Sequence, residues 1–257
     1  MEQNKVRTYI LYAVGEILLV VIGILIALQV NNWNEGRKLS DLEISYYESF
    51  VEDLQSDSLE YVFKIENARY NNTKILNILD FINNDYDMDD ISMRTVNWRG
   101  DDYEGKQALV MSLAQAGFVQ FLQVNDNTIT DIRSTGNIKL LGNEELKDQI
   151  LFYYNRDNVL NQWWESYLPV RTDIDNVVNG ILPPDLRVGY LSGEPLSLSE
   201  DRLEEIIIRM KKYPELEQLA IGMYHIHWRL IWNGEGRIQD ATELLESVRR
   251  EIQHLTD

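Results

Sequence analysis

The sequence has no cysteine among its 257 residues and only five prolines. The lack of cysteine excludes disulfide cross-links and thiol catalysis, although it does not identify a compartment. Positive charge is scarce as well, because 24 lysines and arginines stand against 42 aspartates and glutamates, for a formal charge of −18. A chain this acidic is repelled by nucleic acid and by anionic lipid headgroups, so we expect no nucleic-acid partner.

The common sequence signatures of catalysis are also missing. The chain contains no G-x-S-x-G nucleophile motif, no P-loop and no dinucleotide-binding fingerprint. Its many carboxylates do not indicate a catalytic pair, because acidic residues are frequent throughout the sequence. We therefore expect that the protein is not an enzyme and that it needs no cofactor.

Two candidate metal sites fail on spacing. Asp85, Asp87 and Asp89 alternate as at the start of a calcium loop, but the glycine and glutamate that such a loop needs at its sixth and twelfth positions are absent. His225 and His227 are two residues apart, so on a helix they point about 200° away from each other. We expect solvated aspartates, packed or exposed histidines, and no metal site.

The chain opens with a long apolar run from Thr8 to Val30. As a helix this run is about 34 Å long, enough to cross a hydrocarbon core of about 30 Å. The run is longer than a signal-peptide core and is not followed by a small-residue cleavage site, which favours a retained anchor. Tyr9 and Tyr12 near one end, and Trp33 past the other, are predicted to anchor the helix at the membrane interfaces.

Inside the apolar run, Glu16 shares one helix face with small residues. Ala13, Glu16, Val20, Gly23 and Ala27 follow one another at spacings of three and four. A small residue every fourth position lets two membrane helices approach closely, and a carboxylic acid in lipid needs a partner. We predict that this face packs against another membrane helix, either a second copy or a partner protein. The alternative is a protonated Glu16 that reaches interfacial water.

The predicted orientation of the anchor in the membrane rests on the order of the segments along the chain rather than on their charges. Two cations precede the apolar run and two follow it, so the positive-inside rule does not decide between the two directions. A short tail before a large C-terminal region is typical of a signal anchor. We predict that residues 1–35 form a cytoplasmic tail with its anchor, and that residues 36–257 form one domain outside the cytoplasm.

The region after the apolar run has the hydrophobic period of helices, which predicts an all-α helical bundle. Gly36 is the expected flexible joint between anchor and domain, residues 83–105 read as a loop, and Asn143 is a good helix N-cap. Asn233-Gly234-Glu235-Gly236 is expected to separate the last two helices. The predicted helices span residues 39–82, 106–123, 144–167, 171–181, 199–213, 215–232 and 237–255.

Four tryptophans form large aromatic surfaces on predicted helices. Trp163 and Trp164 are adjacent, and Trp228 and Trp232 are one helical turn apart. Burial in the core is the simplest interpretation of all four. The alternative is that they line a surface for a ligand or for a partner protein.

Two blocks of the sequence carry a family resemblance. The segment from Tyr12 to Glu35, YAVGEILLVVIGILIALQVNNWNE, resembles the opening of an uncharacterised bacterial family of single-pass membrane proteins, known only as a domain of unknown function. The segments STGNIKLL at 134–141, ELKD at 145–148 and YYN at 153–155 are similar to that family's second recurring block. The resemblance implies an N-terminal anchor, a helical domain after it and no established reaction. Together with the predicted orientation, we expect a bacterial inner-membrane protein with a periplasmic C-terminal domain.

These observations favour a membrane-anchored, non-enzymatic helical module for protein–protein interaction or assembly. The expected partner is a second copy of the chain or another membrane protein. The alternative is an extracytoplasmic sensor, or small-ligand-binding domain, that signals through a membrane partner.

Overall fold

One helix, α1, runs from Glu2–Asn83 and dominates the architecture. The computed structural model describes the backbone of residues 2–96, 100–186 and 198–257, and their side chains except those of residues 2–14 and 157–163. With 82 residues, α1 is about 120 Å long. The helix predicted over 39–82 is therefore continuous with the apolar segment, and the flexible joint expected at Gly36 is not present.

The rest of the described chain is mainly helical, which confirms the predicted class. Two short antiparallel strands, paired through Thr95 and Tyr103, lie in the region expected to be only a loop. The elements after α1 are β1 (Arg94–Val96), β2 (Asp102–Glu104), α2 (Gly105–Ala114), α3 (Asn127–Ser134), α4 (Glu144–Glu165), α5 (Leu168–Ile181), α6 (Glu200–Met210) and α7 (Glu215–Thr256).

Helix α7 lies antiparallel to α1 and corrects one prediction. The expected break at residues 233–236 does not occur, because α7 continues through both glycines for 42 residues. A Cβ added at Gly234 would stand 2.8 Å from Cγ1 of Ile65, so this glycine lets the two helices touch. A Cβ added at Gly236 would meet no atom within 4 Å. Gly234 therefore permits close packing of the two helices, whereas the space around Gly236 is open.

Two apolar clusters lie one after the other along the pair formed by α1 and α7. The larger cluster joins the second half of α1 to the β1–β2 region, α2, α5, α6 and the first half of α7. The smaller one joins α1 around residues 46–54 to α3, α4 and the last part of α7. Both long helices contribute to both clusters, so the two clusters belong to one folded unit.

A buried polar group of residues separates the two clusters. Asp57 of α1 and Arg237 of α7 are both fully buried. Tyr153 of α4 lies between them: its hydroxyl donates to Asp57 Oδ2 at 2.8 Å, and its carbonyl oxygen accepts from Arg237 Nη1 at 3.0 Å. The Arg237 guanidinium also lies 3.9 Å from the centre of the Tyr153 ring. Three helices are thereby joined by charge-assisted hydrogen bonds that water cannot replace.

Helix boundaries between residues 105 and 181 depart from the predictions in two places. The helix expected over 106–123 ends at Ala114, and a Cβ added to the following Gly117 would lie 1.9 Å from Oδ1 of Asp175 on α5. Helix α5 begins at Leu168 rather than at the expected residue 171, and Pro169 occupies its first turn, where the missing N–H leaves no helical bond unmade. The predicted cap is confirmed, since Asn143 Oδ1 accepts from the amide of Leu146 at 3.1 Å.

The close approach at Gly234 generates a stability prediction. Gly234→Leu is expected to lower the free energy of unfolding by about 2 kcal/mol, because the new side chain must displace Ile65. The matched control Gly236→Leu is expected to raise the free energy of unfolding by roughly 0.5 kcal/mol, since it replaces an unrestrained helical glycine in open space. Urea unfolding of both full-length variants in detergent measures the difference, and equal effects would contradict the close helix contact.

Candidate interaction surface

The predicted stripe lies on the part of α1 that packs against no other described element. Every residue from 15 to 32 is exposed, including Glu16, Val20, Gly23 and Ala27. The side chains of Ala13, Tyr9 and Tyr12 lie outside the described residues. Trp33 is exposed, with the guanidinium of Arg37 5.6 Å from its ring centre. By length and apolar composition, this segment of α1 could cross a membrane.

The structure separates the predicted tryptophans. Trp164 is 4% exposed and packs in the larger cluster, with its ring centre 5.1 Å from that of Phe121. The side chain of Trp163 lies outside the described residues. Trp228 and Trp232 are instead 54% and 66% exposed on α7. Of the described tryptophans after residue 36, these two share an outer surface, and Trp164 does not join them.

Trp228 and Trp232 line a shallow groove between α7 and α1. The groove has a volume of about 380 Å³, and Leu76 of α1 forms part of the opposite wall. Asn72 also lines it; this residue is 8% exposed, and its side-chain oxygen has no hydrogen-bond partner among the described residues. The groove therefore combines aromatic walls with one buried acceptor. The remaining lining residues are Arg69, Thr73, Tyr224, Ile231 and Glu235.

Further apolar side chains are exposed on α1 outside the groove. Leu59 and Phe63 are 74% and 61% exposed, and Val62 is half exposed. Leu59 and Val62 follow the helical period, yet neither is buried, because α1 has apolar residues on two faces over this stretch and contact with α7 covers only one of them. We refer to the groove residues Leu76, Trp228 and Trp232 together as the outer apolar surface.

A charged cluster lies at one end of the groove. The Arg69 guanidinium binds two carboxylates, Glu66 Oε1 at 2.6 Å and Glu235 Oε1 at 2.5 Å. These three side chains together carry one net negative charge, and the exposed Arg229 follows Trp228 in the sequence.

The two candidate histidines occupy opposite environments on α7. His225 is exposed, whereas His227 is buried and its Nε2–H donates to the carbonyl oxygen of Phe118 at 2.9 Å. Burial lowers the pKa of His227 to about 4, and burial also lowers the pKa of nearby Lys74 to about 8. Both groups are held in the interior by packing and by single hydrogen bonds. Among the described residues, no cluster of three histidine, aspartate or glutamate side chains is placed to hold a metal ion.

The depressed pKa of His227 makes stability depend on pH. The folded protein keeps this ring neutral down to about pH 4, whereas the unfolded chain protonates it near pH 6.5. The contribution of His227 is therefore present above pH 6.5 and is lost, up to about 3 kcal/mol, as the pH falls from 6.5 to 4. His227→Gln is expected to lose less unfolding free energy over this interval than the unaltered chain.

The exposed His225→Gln serves as the control for this measurement. It is expected to behave like the unaltered chain in unfolding experiments at pH 6.5 and pH 4. A His227→Gln variant whose loss over the same interval equals that of the unaltered chain would show that the ring is not held neutral.

The described residues define the class of the protein. It is a helical protein with a long N-terminal helix that is apolar enough to cross a membrane, and its folded region has a partly aromatic outer surface. The family within this class follows from the sequence. Residues 16–156, more than half of the chain, match the model of a family of unknown function, DUF6090, and the chain belongs to this family. No curated protein and no solved structure matches the chain. The matched range includes Leu59 and Leu76 but not Trp228 or Trp232.

Proposed function

We propose that the protein is a membrane-anchored, non-enzymatic helical module that binds a protein partner or assembles with itself. The observation that carries this proposal is the outer apolar surface, where Trp228, Trp232 and the outer face of α1 leave large apolar side chains in solvent. Large apolar side chains that share an exposed groove on a folded protein mark an interaction site. The family supplies no competing activity, because its own function is unknown.

The membrane anchor in this proposal is the N-terminal segment of α1. Its apolar side chains from Ile17 to Val30 are exposed in the folded chain, and burying them in lipid removes that surface from water. We propose a bacterial inner-membrane location, with residues 1–35 as tail and anchor and residues 36–257 in the periplasm. Because α1 is continuous, the domain is held directly above the anchor.

The face carrying Glu16 is proposed to meet a second membrane helix. A carboxylic acid within the bilayer is costly unless it is protonated, solvated or hydrogen-bonded. Gly23 and Ala27, on the same face, allow the close approach that an interhelical hydrogen bond requires. A Cβ added at Gly23 would meet no atom of this chain within 4 Å, so the face is open to another helix.

The first test substitutes the membrane face. Glu16→Leu and Gly23→Leu are each expected to lower crosslinking or co-purification with the membrane partner, or with a second copy, roughly fivefold, corresponding to about 1 kcal/mol of interhelical contact. Glu16→Gln keeps the hydrogen-bonding capacity and is expected to retain association. Leu25→Ala, on the helix face opposite Glu16, is the control. Unchanged crosslinking and oligomer size in both leucine variants would discard the proposed helix contact.

The second test concerns orientation. Protease added to intact spheroplasts is expected to digest the C-terminal region and to leave a cytoplasmic marker protein intact. A fluorescent reporter that folds only in the cytoplasm is expected to stay dark when fused to the C-terminus. A C-terminal region that resists the protease, together with a bright reporter, would show that this region lies in the cytoplasm and would contradict the proposed orientation.

The alternative function, a sensor that binds a small ligand, is favoured by one observation. The groove volume of about 380 Å³ lies within the range of small-molecule pockets. Such pockets bury most of the ligand surface, whereas Trp228 and Trp232 remain more than half exposed. A broad, shallow surface suits a protein partner better.

A further inference from the structure

We draw no further inference here: the strongest candidate, the shallow groove between α1 and α7 that Leu76, Trp228 and Trp232 line, carries none because its Arg69 and Glu235 balance in charge and nothing in the structure shows what covers it.

Discussion

The antiparallel pairing of α1 with α7 is the constraint on which the rest of the structure depends. Its register is specified where Gly234 meets Ile65 and where Arg237 is buried against Tyr153. Sliding α7 by one turn would replace Gly234 with a larger residue at the contact with Ile65. It would also move the buried Arg237 guanidinium away from the carbonyl oxygen and the ring of Tyr153. An uncompensated buried charge is costly enough to exclude such alternatives.

This pairing also explains why an apolar surface remains outside. Contact between α1 and α7 covers only one face of each helix. The shorter helices pack on the side of this pair where both apolar clusters lie. On the outer side, Leu59 and Phe63 of α1 and Trp228 and Trp232 of α7 stay exposed. The anchor and Leu76, the α1 residue of the outer apolar surface, lie on the same continuous helix, so a partner bound at one is held at a fixed height relative to the other.

Much of the secondary structure followed from local chemistry. The Asn143 cap, the start of α6 after Ser199 and the restart after Pro214 depend on residues within one turn, and all three were predicted. The uninterrupted passage of α7 through Gly234 was not predictable in this way. A glycine weakens an isolated helix, and here the gain from contact with α1 outweighs that cost. The close approach of Gly117, just past the end of α2, to Asp175 likewise depends on a residue far away in the sequence.

Composition and periodicity by themselves determined that this chain is helical, acidic and apolar at its N-terminal segment, because those are properties of single residues and adjacent turns. Only the tertiary structure decided which apolar faces are covered. Trp164 and Trp228 have the same side chain on similar helices, yet one is buried and the other half exposed. The difference comes from elements brought together across the chain, as where Arg69 meets Glu235, 166 positions later, and no local pattern records such contacts.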